Sequence, residues 1–162
     1  MSEPIQTPAA KPAARHKSPR RRAREFAVQG IYQSLLNGQR TELILAHLRE
    51  NEQFGKADAP LCDALVRGVL AQHETLDAAL APHLDRTLSE LSPVEHAILL
   101  LGTFELMQQA ETPFRVIINE GIELAKTFGG TDGHRYVNGV LDKLAQALRP
   151  FEVSGRPGAA PD

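Results

Sequence analysis

Between Pro19 and Gln33 the chain reads PRRRAREFAVQGIYQ, with Arg20, Arg21, Arg22 and Arg24 crowded together and Tyr32 following eleven residues after Arg21. Cations at this density bind phosphates, and a flat aromatic beside them can stack on an unpaired base; together these are the means by which single-stranded nucleic acid is held. At 100° per residue Tyr32 returns to nearly the azimuth of Arg21, so a helix here displays both on one side. A solvated charge run is the simpler explanation of arginines alone. Their attachment to an ordered amphipathic helix favours phosphate. Helix electrostatics supplies no reason for them, since cations at a helix N-terminus cost about a few tenths of a kcal/mol each.

A second cation and aromatic stand together far downstream. Asp132 to Gly139 contains Arg135 and Tyr136 in the first turn of a helix, followed by Asn138. A helix N-terminus also offers free N–H groups to phosphate. Inward packing of Tyr136 and a turn capped by Asn138 account for the same residues equally well, and both readings stay open.

Catalytic chemistry finds little support. Cys62 lies in an apolar helical pattern, as a small core residue does. His16, His47, His73, His83, His96 and His134 lack the close sequence spacing of zinc ligands, and a second Cys is absent. Glu120 and Glu123 are explained by exposure or a pair with Lys126. Gly129-Gly130 follows a helix and has no P-loop lysine behind it, so it reads as a C-cap. No catalytic set, metal site or cofactor is expected.

The elements that must position these residues are all helical. Ser18 and Pro19 open a helix that Asn37 and Gly38 close. Thr41 is placed to cap a second, ended by Gly55. Apolar residues from Leu61 to Leu80 recur at helical spacing, with a break near Glu74, and Pro82 interrupts them. Ser92, Pro93 and Glu95 form a capping-box start. Behind them Ala97 to Met107 are apolar almost all round, marking the buried centre. Thr112 and Pro113 start a helix that stops at Gly129. Asp132 or Thr131 caps the last one, which Pro150 ends. No strand pattern appears, and the fold class is all-α.

The 162 residues carry a formal net charge of −2, but unevenly. Residues 1–24 hold seven of the 18 Lys+Arg and one of the 20 Asp+Glu, a net of +6, leaving −8 for the rest. Contact with a polyanion must therefore be local. Residues 1–18 read as a disordered basic arm, 19–150 as the helical domain and 151–162 as a flexible tail. The one cysteine, the lack of a membrane-length apolar run and the lack of a secretory signal fit a cytoplasmic protein.

The PRRRARE start with Tyr32, the INEGIELAKTFGG segment (118–130) and the HRYVNGVLDKL segment (134–144) together resemble the NusB family of bacterial transcription antitermination factors, over roughly residues 19–150. The resemblance implies about seven helices in two packed sub-bundles and no enzymatic activity. It implies boxA RNA and ribosomal protein S10 (NusE) as partners, within the antitermination complex of RNA polymerase. Matched onto this chain, the family's RNA surface falls on Arg20, Arg21, Arg22, Arg24, Tyr32, Asp132, Arg135 and Tyr136, and its protein-partner surface on Leu84, Arg86 and Glu90. Leu100 replaces a basic residue usual in the family and Phe104 a tyrosine, exchanging a polar core link for packing; His83 stands where an aromatic is usual. A non-enzymatic interaction module or homodimer, with incidental RNA binding, is the alternative.

Overall fold

The computed structural model describes residues 17–130 and 132–155. Most of the expected basic arm, the end of the expected tail, and Thr131 as a candidate cap lie outside the described residues. Within them are eight α-helices and three short 3-10 turns, with no strand.

Helix α1, Pro19–Asn37, begins where Ser18 Oγ accepts the Arg21 N–H at 3.1 Å and Pro19 occupies a position whose N–H would have no partner. It ends at Gly38, whose φ of 67° is the left-handed conformation that glycine adopts without a Cβ penalty. Helix α2, Thr41–Arg49, takes Thr41 as its first turn instead of its cap, and a 3-10 turn at Phe54–Lys56 separates it from α3, Ala59–Ala71. Asp58 caps α3 by accepting the Leu61 N–H. The long helix expected from Leu61 breaks at Gln72, and α4, His73–Leu80, follows.

The connection onward holds 3-10 turns at Ala81–His83 and Leu88–Glu90. A reciprocal capping box forms there, between Thr87 and Glu90. Ser92 still caps α5, Pro93–Gln108, through the Glu95 N–H at 3.1 Å. Then come α6, Phe114–Phe128, and α7, Gly133–Leu148, whose Asp132 makes no side-chain cap bond. Residues 151–154, expected to be loose, belong to α8, Pro150–Ser154. Pro150 opens this helix as well as ending the one before it. Arg149 explains the anchoring: its guanidinium donates to the carbonyls of Glu105, Leu106, Gln109 and Thr112 and pairs with Glu152, which in turn accepts the Phe114 N–H.

Every residue of α5 from Ala97 to Leu106 is buried, as its all-round apolar sequence requires. Helices α1, α2 and α3 pack together on one side of it and α6 and α7 on another, sharing one continuous core. Three contacts depend on missing side chains. A Cβ on Gly68 of α3 would lie 2.2 Å from the Phe104 ring of α5, and Cβ atoms on Gly102 and Gly121 would lie 2.6 and 2.5 Å from Leu141 of α7. Leu100 and Phe104 are both buried, so packing fills these positions.

Candidate nucleic-acid interface

The four arginines of α1 divide into two kinds. Arg24 is 3% exposed and donates through Nε and Nη2 to both carboxylate oxygens of Glu105, at 3.0 and 2.9 Å, with Glu105 itself 2% exposed. Burial opposes its charge, but the hydrogen bonds and the Glu105 carboxylate outweigh this and hold its pKa above the usual value. Arg24, expected at the RNA surface, has its fork occupied inside the core in this structure, tying α1 to α5. Arg21 repeats the arrangement nearer the surface, donating to both oxygens of Glu120 of α6 at 3.1 and 2.8 Å. That hydrogen-bonded pair raises its pKa, and Glu120 also lies 3.9 Å from Arg24. Two carboxylates thus neutralise two of the four cations.

The other two remain available. Arg20 is exposed, its nearest carboxylate being Asp58 at 3.9 Å. The Arg22 side chain makes no hydrogen bond or ion pair among the described residues. Lys17, just ahead of the helix, pairs with Glu25 at 2.8 Å. Tyr32 is half-buried against the core.

The downstream cluster is built differently. Arg135 is exposed and unpaired among the described residues, and Asp132 is exposed beside it. Tyr136 is half-buried, with the Arg86 guanidinium over its ring at 4.2 Å. Burial raises the Tyr136 pKa, and of the two neighbouring charges Arg86 lowers it while Asp85 raises it. A cation–π stack thus already covers one face of the ring. Arg86 also donates to Asp85 through Nε at 2.7 Å. Arg86 was matched to the protein-partner surface and Tyr136 to the RNA surface; the fold makes them one unit. Glu90 accepts the Thr87 N–H and hydroxyl, which keep its pKa low, and Leu84 is half-buried on the core.

No hydrogen bond, ion pair or ring contact among the described residues joins the α1 arginines to Tyr136 directly. The link is α6, which holds Arg21 through Glu120 and packs its next residue, Gly121, on Val137 and Leu141 of α7.

This helical frame with its split arginine cluster has relatives. The sequence pattern of the NusB family matches residues 21–146. The chain belongs to the NusB family. It is 56% identical over 143 residues to the transcription antitermination protein NusB of Burkholderia mallei strain SAVP1, covering 88% of this chain and 99% of the relative. The Burkholderia thailandensis protein matches to the same extent. Among solved structures, T. maritima NusB superposes with a TM-score of 0.73 at 27% identity, covering 86% of this chain and 99% of that one. A crystal structure of antitermination factors NusB and NusE in complex with dsRNA superposes with a TM-score of 0.69 at 25% identity, covering 80% and 97%. NusB proteins are transcription antitermination factors, so membership makes this chain one of them and not an enzyme.

Sequence reasoning missed Glu105 and Glu120 as arginine partners, although a signal existed. Glu105 is a carboxylate within an otherwise apolar, buried helix, and such a group requires a cation. It also missed a meeting of histidines: His73 and His96, which looked too far apart for a shared site, converge on Asp77.

Proposed function

We propose that this chain binds boxA-type RNA together with ribosomal protein S10 (NusE), in the cytoplasm, as part of the antitermination complex of RNA polymerase. Arg20, Arg22 and Arg135 neutralise backbone phosphates, Tyr32 and Tyr136 bracket bases, and Asp132 borders the RNA. Arg21 and Arg24 serve the site indirectly, by fixing the start of α1 on α5 and α6. The observation that carries this reading is the division of the cluster: Arg22 and Arg20 stand at the head of a buried, well-anchored helix without a strong internal partner. A neighbour of the same fold is a NusB–NusE complex with dsRNA, which supports both partners and makes the strandedness of the bound RNA a point to measure.

The segment from Leu84 to Glu90 is the proposed S10 surface. Because Arg86 stacks on Tyr136, engagement of S10 there would set the position of the Tyr136 ring and couple the two partners. Titration of boxA RNA, single-stranded and duplex, with and without S10 tests this. S10 is expected to tighten binding, and the R20A/R22A variant to weaken it for all RNA sequences. If RNA is never shifted under either condition, the protein-interaction module is the correct reading.

A further inference from the structure

Helices α4 and α5 bring two imidazoles to one carboxylate. His73 and Asp77 are four residues apart on α4, and His96 faces them from the first turns of α5. His96 Nε2 lies 2.7 Å from Asp77 Oδ1, and His73 Nε2 lies 3.0 Å from Asp77 Oδ2. One donor atom from each residue falls within 4.8 Å of the others. We propose that His73, Asp77 and His96 bind one zinc-class divalent ion.

The donor set is suited to it. Two neutral imidazole nitrogens and one carboxylate oxygen are borderline ligands of the kind zinc takes, with a fourth position left for water. Tetrahedral zinc holds such atoms about 2.0–2.2 Å from itself, hence about 3.2–3.5 Å from one another. His96 and His73 approach different oxygens of Asp77, at 2.7 and 3.0 Å, and one donor atom of each residue lies within 4.8 Å of the others, so an ion is taken up by re-aiming these three side chains without moving the helices. Hydrogen bonding alone accounts for one half of the cluster. His96 and Asp77 form a good hydrogen bond, but His73 Nε2, although buried and close to the carboxylate, has no hydrogen-bond partner. A buried ring nitrogen left this way is costly, and a shared cation would satisfy it. Asp77 and His96 are about one-seventh exposed, so their rotamers are held in advance. His73 also lines a cleft of about 400 Å³ with Ser34, Gln39 and Leu100.

The site would fasten α4 to α5 just ahead of the segment that carries Arg86 to Tyr136. It is independent of the RNA reading, and its test involves no RNA. Calorimetric titration of the full chain, stripped with a chelator, against zinc chloride should give one saturable site per molecule. Asp77→Asn and His96→Ala should each weaken it at least tenfold, while His134→Ala leaves it unchanged. Cobalt(II) in place of zinc should give the visible absorption of a tetrahedral centre, lost in the same two variants. If His96→Ala does not fold, His73→Gln, on a side chain 42% exposed, should weaken binding to the same degree. Absence of a saturable site, or zinc affinity that survives Asp77→Asn, would overturn the proposal.

Discussion

Arg22 and Arg24 are two residues apart in sequence and have opposite fates, for a reason visible in their helical azimuth. Arg24 stands three, four and seven residues before Ala27, Val28 and Ile31, all fully buried, so it shares their face; Arg22 points almost directly away. The cluster was legible as a cluster, but a count of charges did not separate the two, and the buried carboxylate that claims Arg24 is 81 residues downstream. Removing one member of a buried ion pair leaves the other unpaired, so Arg24→Ala should cost about 3–5 kcal/mol. Denaturant unfolding measures it, and Arg22→Ala should stay within about 0.5 kcal/mol of the parent. A similarly small loss for Arg24→Ala would show that Glu105 finds water or another cation. Cys62 offers a pH test at the same scale. Burial pushes its thiol up to about 12 from the ordinary 9.0. Between these values the unfolded chain has given up the proton that the folded chain keeps, so stability should fall as pH rises from 9 towards 12. The fall should be shallower in Cys62→Ala, measured by unfolding at each pH. Near neutrality the folded thiol should resist thiol reagents until the chain is unfolded.

At the scale of elements, the helices with local punctuation were legible and the others were not. Ser18 with Pro19, Gly38, and Ser92 with Pro93 place their ends within the sequence neighbourhood that determines them. Thr112 and Pro113 likewise mark the start of α6, but α8 is held by Arg149 and Glu152 reaching across about forty residues, which no local pattern reveals. Contacts between helices follow the same division. That α5 is buried follows from its composition; that α3 approaches it at a glycine does not. Gly68 lets the Phe104 ring occupy the space of a side chain, and a Cβ there would meet three ring atoms at 2.2, 2.3 and 3.1 Å. Gly68→Ala should therefore destabilise by about 1–3 kcal/mol, despite the better helix propensity of alanine. In the Gly68→Ala/Phe104→Leu double variant the loss should be less than the sum of the two single losses, since the smaller side chain vacates the contested space. Urea unfolding of the four proteins gives the coupling directly. Strict additivity would mean that α3 moves away instead of colliding.

At the scale of the molecule, the excess of +6 in residues 1–24 overstates what a polyanion meets. Lys17, Arg21 and Arg24 are each matched by a carboxylate from the acidic remainder, Glu25, Glu120 and Glu105. This pairing is the part of the charge pattern that the sequence left hidden, because each partner is chosen by the fold. Among the described residues the cations proposed to meet phosphate reduce to Arg20, Arg22 and Arg135, to which Lys11 and Arg15 of the preceding segment can add. Each neutralised phosphate contributes about −0.7 to the slope of log affinity against log salt for a single strand, and about −0.9 for a duplex of the B-form. The three alone give about −2, and the two further cations bring it to about −3.5. Deleting residues 1–16 and substituting R20A/R22A should therefore each reduce the slope by about 1.4 for single-stranded boxA RNA, with S10 held constant. An Arg21→Gln change, which removes the cation opposite Glu120, should leave the slope where it was. If that change flattens it by about 0.7, half the effect of R20A/R22A, Arg21 abandons Glu120 when RNA arrives, and the ion pair is a latch and not a fixture.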